Sequence, residues 1–139
     1  MATRQKRATL IISGLVLIAM TGCMKKIPDQ AQSAAAEWLA LVDDGKYEAS
    51  WSSSSAFFKN AVSVEQWGKM MGAYRKPLGK VGARKLFFSK EVKKLPGAPD
   101  ADYCLLIYRT SFENKKSSVE TATFMLENGS WRAAGYFIK

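Results

Sequence analysis

The spacing of apolar residues divides the chain into three parts. Residues 8–20 form a predominantly apolar run. From about residue 31, apolar residues recur every three or four positions, which is typical of one face of a helix. From Lys80 onward they alternate with polar residues or form short continuous runs, which is typical of strands. This order predicts an α+β domain whose helices pack on one face of an antiparallel sheet.

Three helices are predicted in the first half of the domain. The first is expected to have Asp29 as its N-cap and Gln32 at the third helical position, and to end at Gly45. A second, shorter helix is predicted over residues 46–53, where consecutive serines mark its end or a turn. A capping box starting at Ser63 precedes the third helix. The apolar face of that helix steps through Val64, Trp67, Met71, Tyr74 and Leu78.

About four antiparallel strands are predicted in the second half. They cover residues 81–92, 103–112, 117–127 and 130–138. Pro96, Gly97 and Pro99 make a rigid loop between the first two strands. Asn128-Gly129 favours a type I′ hairpin turn before the last strand.

Basic residues precede the apolar run and small residues follow it. Arg4, Lys6 and Arg7 come before residues 8–20, and Thr21 and Gly22 come after. This arrangement is typical of an export signal. The run is also shorter than the roughly 20 apolar residues of a membrane-spanning helix.

The segment Met20-Thr21-Gly22-Cys23 resembles the lipobox of bacterial lipoproteins, with Met where Leu is usual. The resemblance implies cleavage between Gly22 and Cys23 and acyl chains, palmitate among them, on Cys23. Cleavage without lipidation and an uncleaved anchor are the alternatives. Met24 stands where Asp, by analogy with enterobacterial sorting, would favour retention at the inner membrane. The expected location is therefore the cell envelope, at the outer membrane facing the periplasm in a double-membraned host.

This interpretation divides the chain into a signal peptide of residues 1–22, a lipidated tether of residues 23–30 and one domain of residues 31–139. The full chain has 21 Lys+Arg and 12 Asp+Glu, and loss of the three cations of the signal leaves a net charge of +6. If Cys23 is acylated, Cys104 has no disulfide partner, and we expect it to be buried as a small apolar residue.

The chain contains no histidine. Ser-His-Asp and Cys-His catalysis and the usual imidazole metal sites are therefore excluded. We predict no catalytic residue, no metal site and no cofactor. Carboxylate, Tyr or Lys chemistry is not excluded by this observation.

Cations are concentrated in residues 75–94, which contain eight Lys and Arg and a single acid, Glu91. The favoured interpretation is a solvated helix end and strand face. The functional alternative is attraction to an anionic envelope surface or an acidic partner. Because the chain is expected to be exported, we do not expect a nucleic acid partner. The close acids Asp43 and Asp44 are interpreted as turn residues.

The candidates for lining a pocket are Tyr108, Arg109, Arg132 and Tyr136. Arg109 interrupts an apolar run, and an inward-pointing Arg would need a partner. Glu120 on the neighbouring strand is the natural partner, and such a pair could line a pocket for an acidic ligand. The favoured alternative is a cross-strand pair at the surface, worth about 0.2–1 kcal/mol.

Several separated segments resemble the bacterial domain-of-unknown-function family DUF4019. They are Trp38, residues 45–47, Trp51, Trp67, and residues 75–79, 95–100, 108–115, 120–121 and 129–138. The resemblance covers about residues 31–139 and implies an envelope or secreted domain with a curved sheet, the cone-shaped NTF2-like (cystatin-like) fold. It transfers no catalytic residue. Sheet-to-sheet homodimers are common in that fold, and both faces of strand 103–112 are apolar, so a homodimer is left open.

The favoured function is a lipid-anchored, non-enzymatic envelope protein that binds a partner protein or an anionic ligand. The competing hypothesis is an enzyme acting on a small molecule inside the cone. An unpaired Arg109 or a Tyr beside a carboxylate in a deep pocket would favour the enzyme. An interior filled by Trp38, Trp67, Met71 and Phe124 would reject it. A third alternative is a structural role in which the basic segment adheres to anionic polymers.

Overall fold

The structure, a computed structural model, describes residues 28–139. The predicted signal peptide, the Gly22–Cys23 cleavage site, the lipidation site Cys23 and all but the last residues of the tether lie outside the described residues. Four α-helices come first and four antiparallel strands follow, so the predicted α+β class is confirmed. Within the described part of the chain, no helix is long and apolar enough to cross a bilayer.

The part of the chain that the structure describes contains four helices rather than the predicted three. They are α1 (Asp29–Asp43), α2 (Tyr47–Ser52), α3 (Ala56–Ala61) and α4 (Val64–Tyr74), and a short 3₁₀ turn (Lys76–Leu78) follows. The serines after α2 do mark its end, but Ser55 also begins α3, because its side chain accepts a hydrogen bond from the Phe58 N–H. A six-residue helix is too short to show helical periodicity, which is why the sequence pattern missed α3.

The starts of the two longer helices and the end of α1 agree closely with the sequence, whereas α4 ends at Tyr74, before the predicted face residue Leu78. Asp29 is the first residue of α1 rather than its cap, and Pro28 takes the cap position. Gly45 has a φ of +72° and closes the helix in a Schellman motif, as predicted. The side chains of Ser63 and Gln66 make the predicted capping box of α4.

The sheet is an antiparallel meander in the order β1-β2-β3-β4. Its strands are β1 (Val81–Val92), β2 (Tyr103–Phe112), β3 (Lys115–Glu127) and β4 (Ser130–Ile138). β3 begins two residues earlier than predicted, because Phe112 pairs with Lys115. Asn128 and Gly129 have φ values of +50° and +79°, as the predicted type I′ turn requires.

The core lies between the helices and one face of the sheet. Trp38, Trp67, Met71 and Phe124 are each at most 4% exposed. Trp38 is at its centre, with ring centroids 5.8 Å from Trp67 and 6.1 Å from Phe124. Cys104 is also fully buried there, as predicted. The interior of the fold is therefore filled by side chains.

Candidate functional site

A completely buried acidic residue lies on the helix-facing side of the sheet, at the centre of β3. Glu120 lies on the same face of the strand as Ser118 and Ala122, two positions before and after it. All three face inward, and the Glu120 side chain is fully buried. A buried carboxylate is stable only when its oxygens have hydrogen-bond donors or a cationic partner. The other three strands each supply one such partner: Arg84 from β1, Thr110 from β2 and Tyr136 from β4.

Both carboxylate oxygens of Glu120 are fully occupied. Arg84 donates from Nε to Oε2 at 2.6 Å and from Nη2 to Oε1 at 3.0 Å, the two-pronged geometry that favours Arg over Lys. The Thr110 hydroxyl also donates to Oε2, and the Tyr136 hydroxyl to Oε1. Each oxygen therefore accepts two hydrogen bonds, and no lone pair is left for a ligand.

Asp43, the last residue of α1, extends this cluster to the helices. Its carboxylate accepts hydrogen bonds from Arg84 at 2.7 and 2.8 Å and from Arg75 at 3.1 Å. Arg75 is 2% exposed, and its guanidinium lies 4.6 Å from the centre of the Phe112 ring. We call Asp43, Arg75, Arg84 and Glu120 the charge network. Its two cations and two anions alternate, so its net charge is zero.

The comparison with known families adds to this geometry. Residues 34–136 match the family DUF4019, described as a protein of unknown function. The chain belongs to the DUF4019 family. The matched range includes the whole charge network together with Thr110 and Tyr136. A search of curated proteins found no match.

Burial and neighbouring charges shift the pKa values of three groups of the DUF4019 domain at this cluster. Burial raises the pKa of Tyr136 far above its usual value, and the charge and hydrogen bond of Glu120 add to the effect. Burial also raises the pKa of Tyr108, with Arg84 opposing the shift and Glu120 adding to it. For Arg84, burial lowers the pKa, but the hydrogen bonds to Asp43 and Glu120 outweigh it and the pKa is raised. Tyr136 therefore remains a hydrogen-bond donor near neutral pH.

The four predicted pocket residues do not form one pocket. Tyr136 and Tyr108 face the charge network, and Tyr108 lies opposite Glu120 in the β2–β3 register. Arg132 lines a cleft of about 240 Å³ between α1 and β4, where its closest acid is Glu127 at 3.8 Å. Arg109 lies on the face of the sheet opposite to Tyr108 and Tyr136.

The prediction that Arg109 pairs with Glu120 is wrong. Arg109 pairs in register with Val119, and neighbouring residues of a strand point to opposite faces. Its side chain is exposed, and its guanidinium lies 3.8 Å from the centre of the Phe87 ring. The partner of Glu120 is instead Arg84, two strands away from it in the sheet order.

The basic segment divides by residue type. Its six lysines are exposed, as a solvated face requires, and they are Lys76, Lys80, Lys85, Lys90, Lys93 and Lys94. Arg75 and Arg84 are instead held in the charge network, and Asp43, interpreted from sequence as a turn residue, binds both of them. Arg84 lies two positions before the inward-facing Leu86 and therefore on the same face of β1. This spacing indicated that Arg84 faces inward, but the many cations of the segment obscured it.

Across residues 28–139, no three His, Cys, Asp or Glu side chains come together as a metal site would need. A Tyr does lie beside a carboxylate, but Glu120 is 0% exposed and cannot meet a substrate. The arrangement can position strands and helices relative to one another through paired charges.

Proposed function

We propose that the protein is a lipid-anchored protein of the bacterial envelope whose domain acts by binding and not by catalysis. The lipid is carried by Cys23, and the domain faces the periplasm from the outer membrane when the host has two membranes. Its partners are the membrane lipid and an envelope protein or anionic ligand. No cofactor is part of the proposal.

The observation that favours binding over catalysis is that side chains fill the interior of the domain. An enzyme built on an NTF2-like cone would hold its substrate between the helices and the sheet. In this chain Trp38, Trp67, Met71 and Phe124 occupy that volume and are nearly inaccessible. Glu120, the one completely buried carboxylate of residues 28–139, has no free lone pair. A ligand is therefore expected to bind on the outside of the domain.

The NTF2-like assignment is part of the same proposal. The order of helices before strands, the antiparallel meander and the helices packed on one face only all support it. Because that scaffold hosts enzymes, ligand binders and dimerisation modules, the assignment does not select a function by itself.

The lipid anchor is supported by sequence and by chain length. Thr21-Gly22-Cys23 follows the apolar run, and α1 begins at Asp29, six residues after Cys23. Two or three acyl chains anchor a protein stably, whereas one chain binds only marginally. A chain processed at Cys23 would therefore remain on the membrane with its domain close to the head groups.

Metabolic labelling with an alkyne fatty acid tests the anchor. We expect label on the wild-type protein, full retention in Cys104→Ser, whose thiol is 0% exposed, and complete loss in Cys23→Ser. Mass spectrometry of the N-terminal peptide should give residue 23 as the first residue with diacylglycerol attached. Label that persists in Cys23→Ser, or a mature protein that retains residues 1–22, would contradict the proposal.

A further inference from the structure

We propose that the outer face of the sheet, the side away from the helices, rests on an anionic membrane. This inference depends on the proposed lipid anchor at Cys23 and adds which surface of the domain meets the lipid. We call the contact surface the outer patch, and it consists of Phe87, Phe88, Arg109, Val119, Phe137 and the lysines Lys85 and Lys90.

Large apolar side chains are exposed across the whole width of this face. The exposed fractions are 59% for Phe87, 49% for Phe88, 40% for Val119 and 62% for Phe137. Phe88 pairs with Ile107, Ile107 with Thr121, and Thr121 with Phe137, so one row of residues crosses all four strands. Contiguous apolar patches on soluble domains mark interaction sites more often than isolated apolar residues do.

The charges on this face have one sign. Lys85 and Lys90 are exposed and lie opposite the outward-facing Arg109 and Leu105 in the register. Among the strand residues, the acids belong to the other side: Glu91 lies opposite the core residue Cys104, Glu120 is buried, and Glu127 accepts from the Ala56 N–H of α3. The outer patch therefore combines aromatic rings with cations, which suits an interface of acyl chains and anionic head groups.

A second copy of the chain fits this face less well than lipid does. Two copies packed sheet to sheet would enclose Lys85, Lys90 and Arg109 of both copies in one interface, to which neither outer face brings an acid. Like charges brought together across a desolvated interface oppose association. An anionic bilayer neutralises the same cations and accepts the phenyl rings.

The chain length also favours lipid over an acidic protein partner. From Cys23 to Asp29 the chain spans at most about 20 Å when fully extended, so the domain cannot leave the vicinity of the bilayer. Asp29 and Gln30 lie beside Gly129 and Ser130 at the end of the edge strand β4. The tether therefore ends at the edge of the sheet. To reach the outer face from the helix layer, it has to cover about 10 Å, which is the spacing of packed layers.

The helix side is the less suitable surface. Its helices expose acids among their cations, namely Glu37, Asp44, Glu48 and Glu65. An anionic bilayer would repel these carboxylates, whereas the outer patch presents cations only. Of the two broad faces of the domain, the outer patch is therefore the one that an anionic membrane attracts.

Fluorophores at matched positions test the contact. The acylated full chain, carrying either Val119→Cys in the outer patch or Ala73→Cys on α4, is labelled with nitrobenzoxadiazole and placed in liposomes. Burial raises the pKa of Cys104 to about 11, so that buried thiol does not react. We expect brominated lipid to quench the label at position 119 at least several-fold more than the label at position 73. Equal quenching, or stronger quenching at position 73, would overturn the inference.

The chain without an added cysteine separates this inference from the proposed function. If its Cys23 thiol is free and takes the label, the lipid anchor itself fails. If Cys23 is blocked but the position 119 label is not quenched, only the membrane contact of the outer patch fails. If two Val119→Cys copies form a disulfide and lipid does not quench the label, the outer patch is a homodimer interface. That result would also overturn the proposed membrane contact.

Charge reversal tests the electrostatic part of the proposal. Lys85→Glu with Arg109→Glu is compared with the control pair Lys46→Glu and Lys69→Glu, which changes net charge equally on the helix side. Each cation near an anionic surface strengthens docking about fivefold, so removing two positive charges weakens docking about 25-fold, and the added negative charges weaken it further. We expect this weaker docking for Lys85→Glu with Arg109→Glu and not for the control pair. We expect it in liposomes that contain phosphatidylglycerol and not in liposomes of phosphatidylcholine alone. An equal loss for both pairs would contradict a defined docking face.

Discussion

At the scale of single residues, the most constrained side chain is the carboxylate of Glu120. It is the only acid among residues 28–139 that is completely buried, and three other strands supply its four hydrogen bonds. Removing one partner of a buried ion pair leaves the other without compensation and is usually more costly than the pair itself is stabilising. The cluster therefore fixes the register of the strands and the position of α1 relative to them.

Glu120→Gln should lower the free energy of unfolding by about 3 kcal/mol, because the amide removes a charge and turns two acceptors into one acceptor and one donor facing Arg84. Urea denaturation of the mature chain measures the change. The matched control is Glu37→Gln, an exposed position on α1, which should stay within about 0.5 kcal/mol of wild type. A Glu120→Gln variant as stable as the control would show that the charge network does not hold the fold together.

Tyr136 gives a prediction for alkaline pH. In the unfolded chain its hydroxyl ionises near pH 10, whereas in the folded domain its pKa is raised, so the folded state keeps a proton that the unfolded state loses. Its contribution to stability is therefore complete below about pH 10 and is lost as pH rises, at about 1.4 kcal/mol per pH unit. Urea denaturation from pH 8 to 11 should show a shallower decline for Tyr136→Phe. A decline as steep as that of wild type would contradict the raised pKa.

At the scale of elements, two glycines decide how helices join the rest of the fold. Gly45 after α1 and Gly79 after the 3₁₀ turn have φ values of +72° and +76°. A Cβ at Gly45 would meet no atom within 4 Å, whereas one at Gly79 would lie 2.7 Å from Oε2 of Glu113. Gly45 is therefore needed for its backbone conformation alone, and Gly79 for its conformation and for the close approach of the β2–β3 turn.

Gly45→Ala should cost about 1 kcal/mol, the penalty of a left-handed conformation for an L-residue. Gly79→Ala should cost more, because it adds the clash with Glu113. The double variant Gly79→Ala/Glu113→Ala should recover only part of the difference, because it removes the Glu113 carboxylate but keeps the Glu113 Cβ, which would lie 2.9 Å from the new Cβ. Thermal and urea denaturation of the variants measure these changes. Equal costs for the two single variants would contradict the contact at Gly79.

At the scale of the whole molecule, the domain has two unlike faces. The helices cover one face of the sheet and enclose the aromatic core and the charge network. The other face carries the exposed outer patch. The proposed lipid attachment at Cys23 and the exposure of that patch would be complementary, because the tether would restrict the domain to the membrane surface that we propose the patch binds.

Sorting in a double-membraned host tests the proposed location. Met24→Asp should move the anchored protein from the outer to the inner membrane, because Asp after the lipidated Cys favours retention in the enterobacterial analogy. Membrane fractionation on a sucrose gradient is the measurement. Met24→Ala serves as the control and should stay with the outer membrane. A wild-type protein found at the inner membrane would contradict the location.

Local features of this protein were determined by the sequence alone. The capping box at Ser63, the stop at Gly45, the Asn128-Gly129 turn and the bounds of most strands depend on residues a few positions apart. Their signals are therefore complete within a short window of sequence. The exception is α3, which is stable only because its neighbours cover Phe58 and because Ser55 caps it.

The charge network was decided by tertiary structure. Arg84 and Glu120 are 36 residues apart, and Arg84 and Asp43 are 41 apart. Whether Arg84 or Arg109 meets Glu120 depends on strand register, and a difference of one residue sends a side chain to the opposite face. The sequence supplied the charges, but only the assembled sheet selected which of them are paired inside and which remain outside beside the exposed phenyl rings.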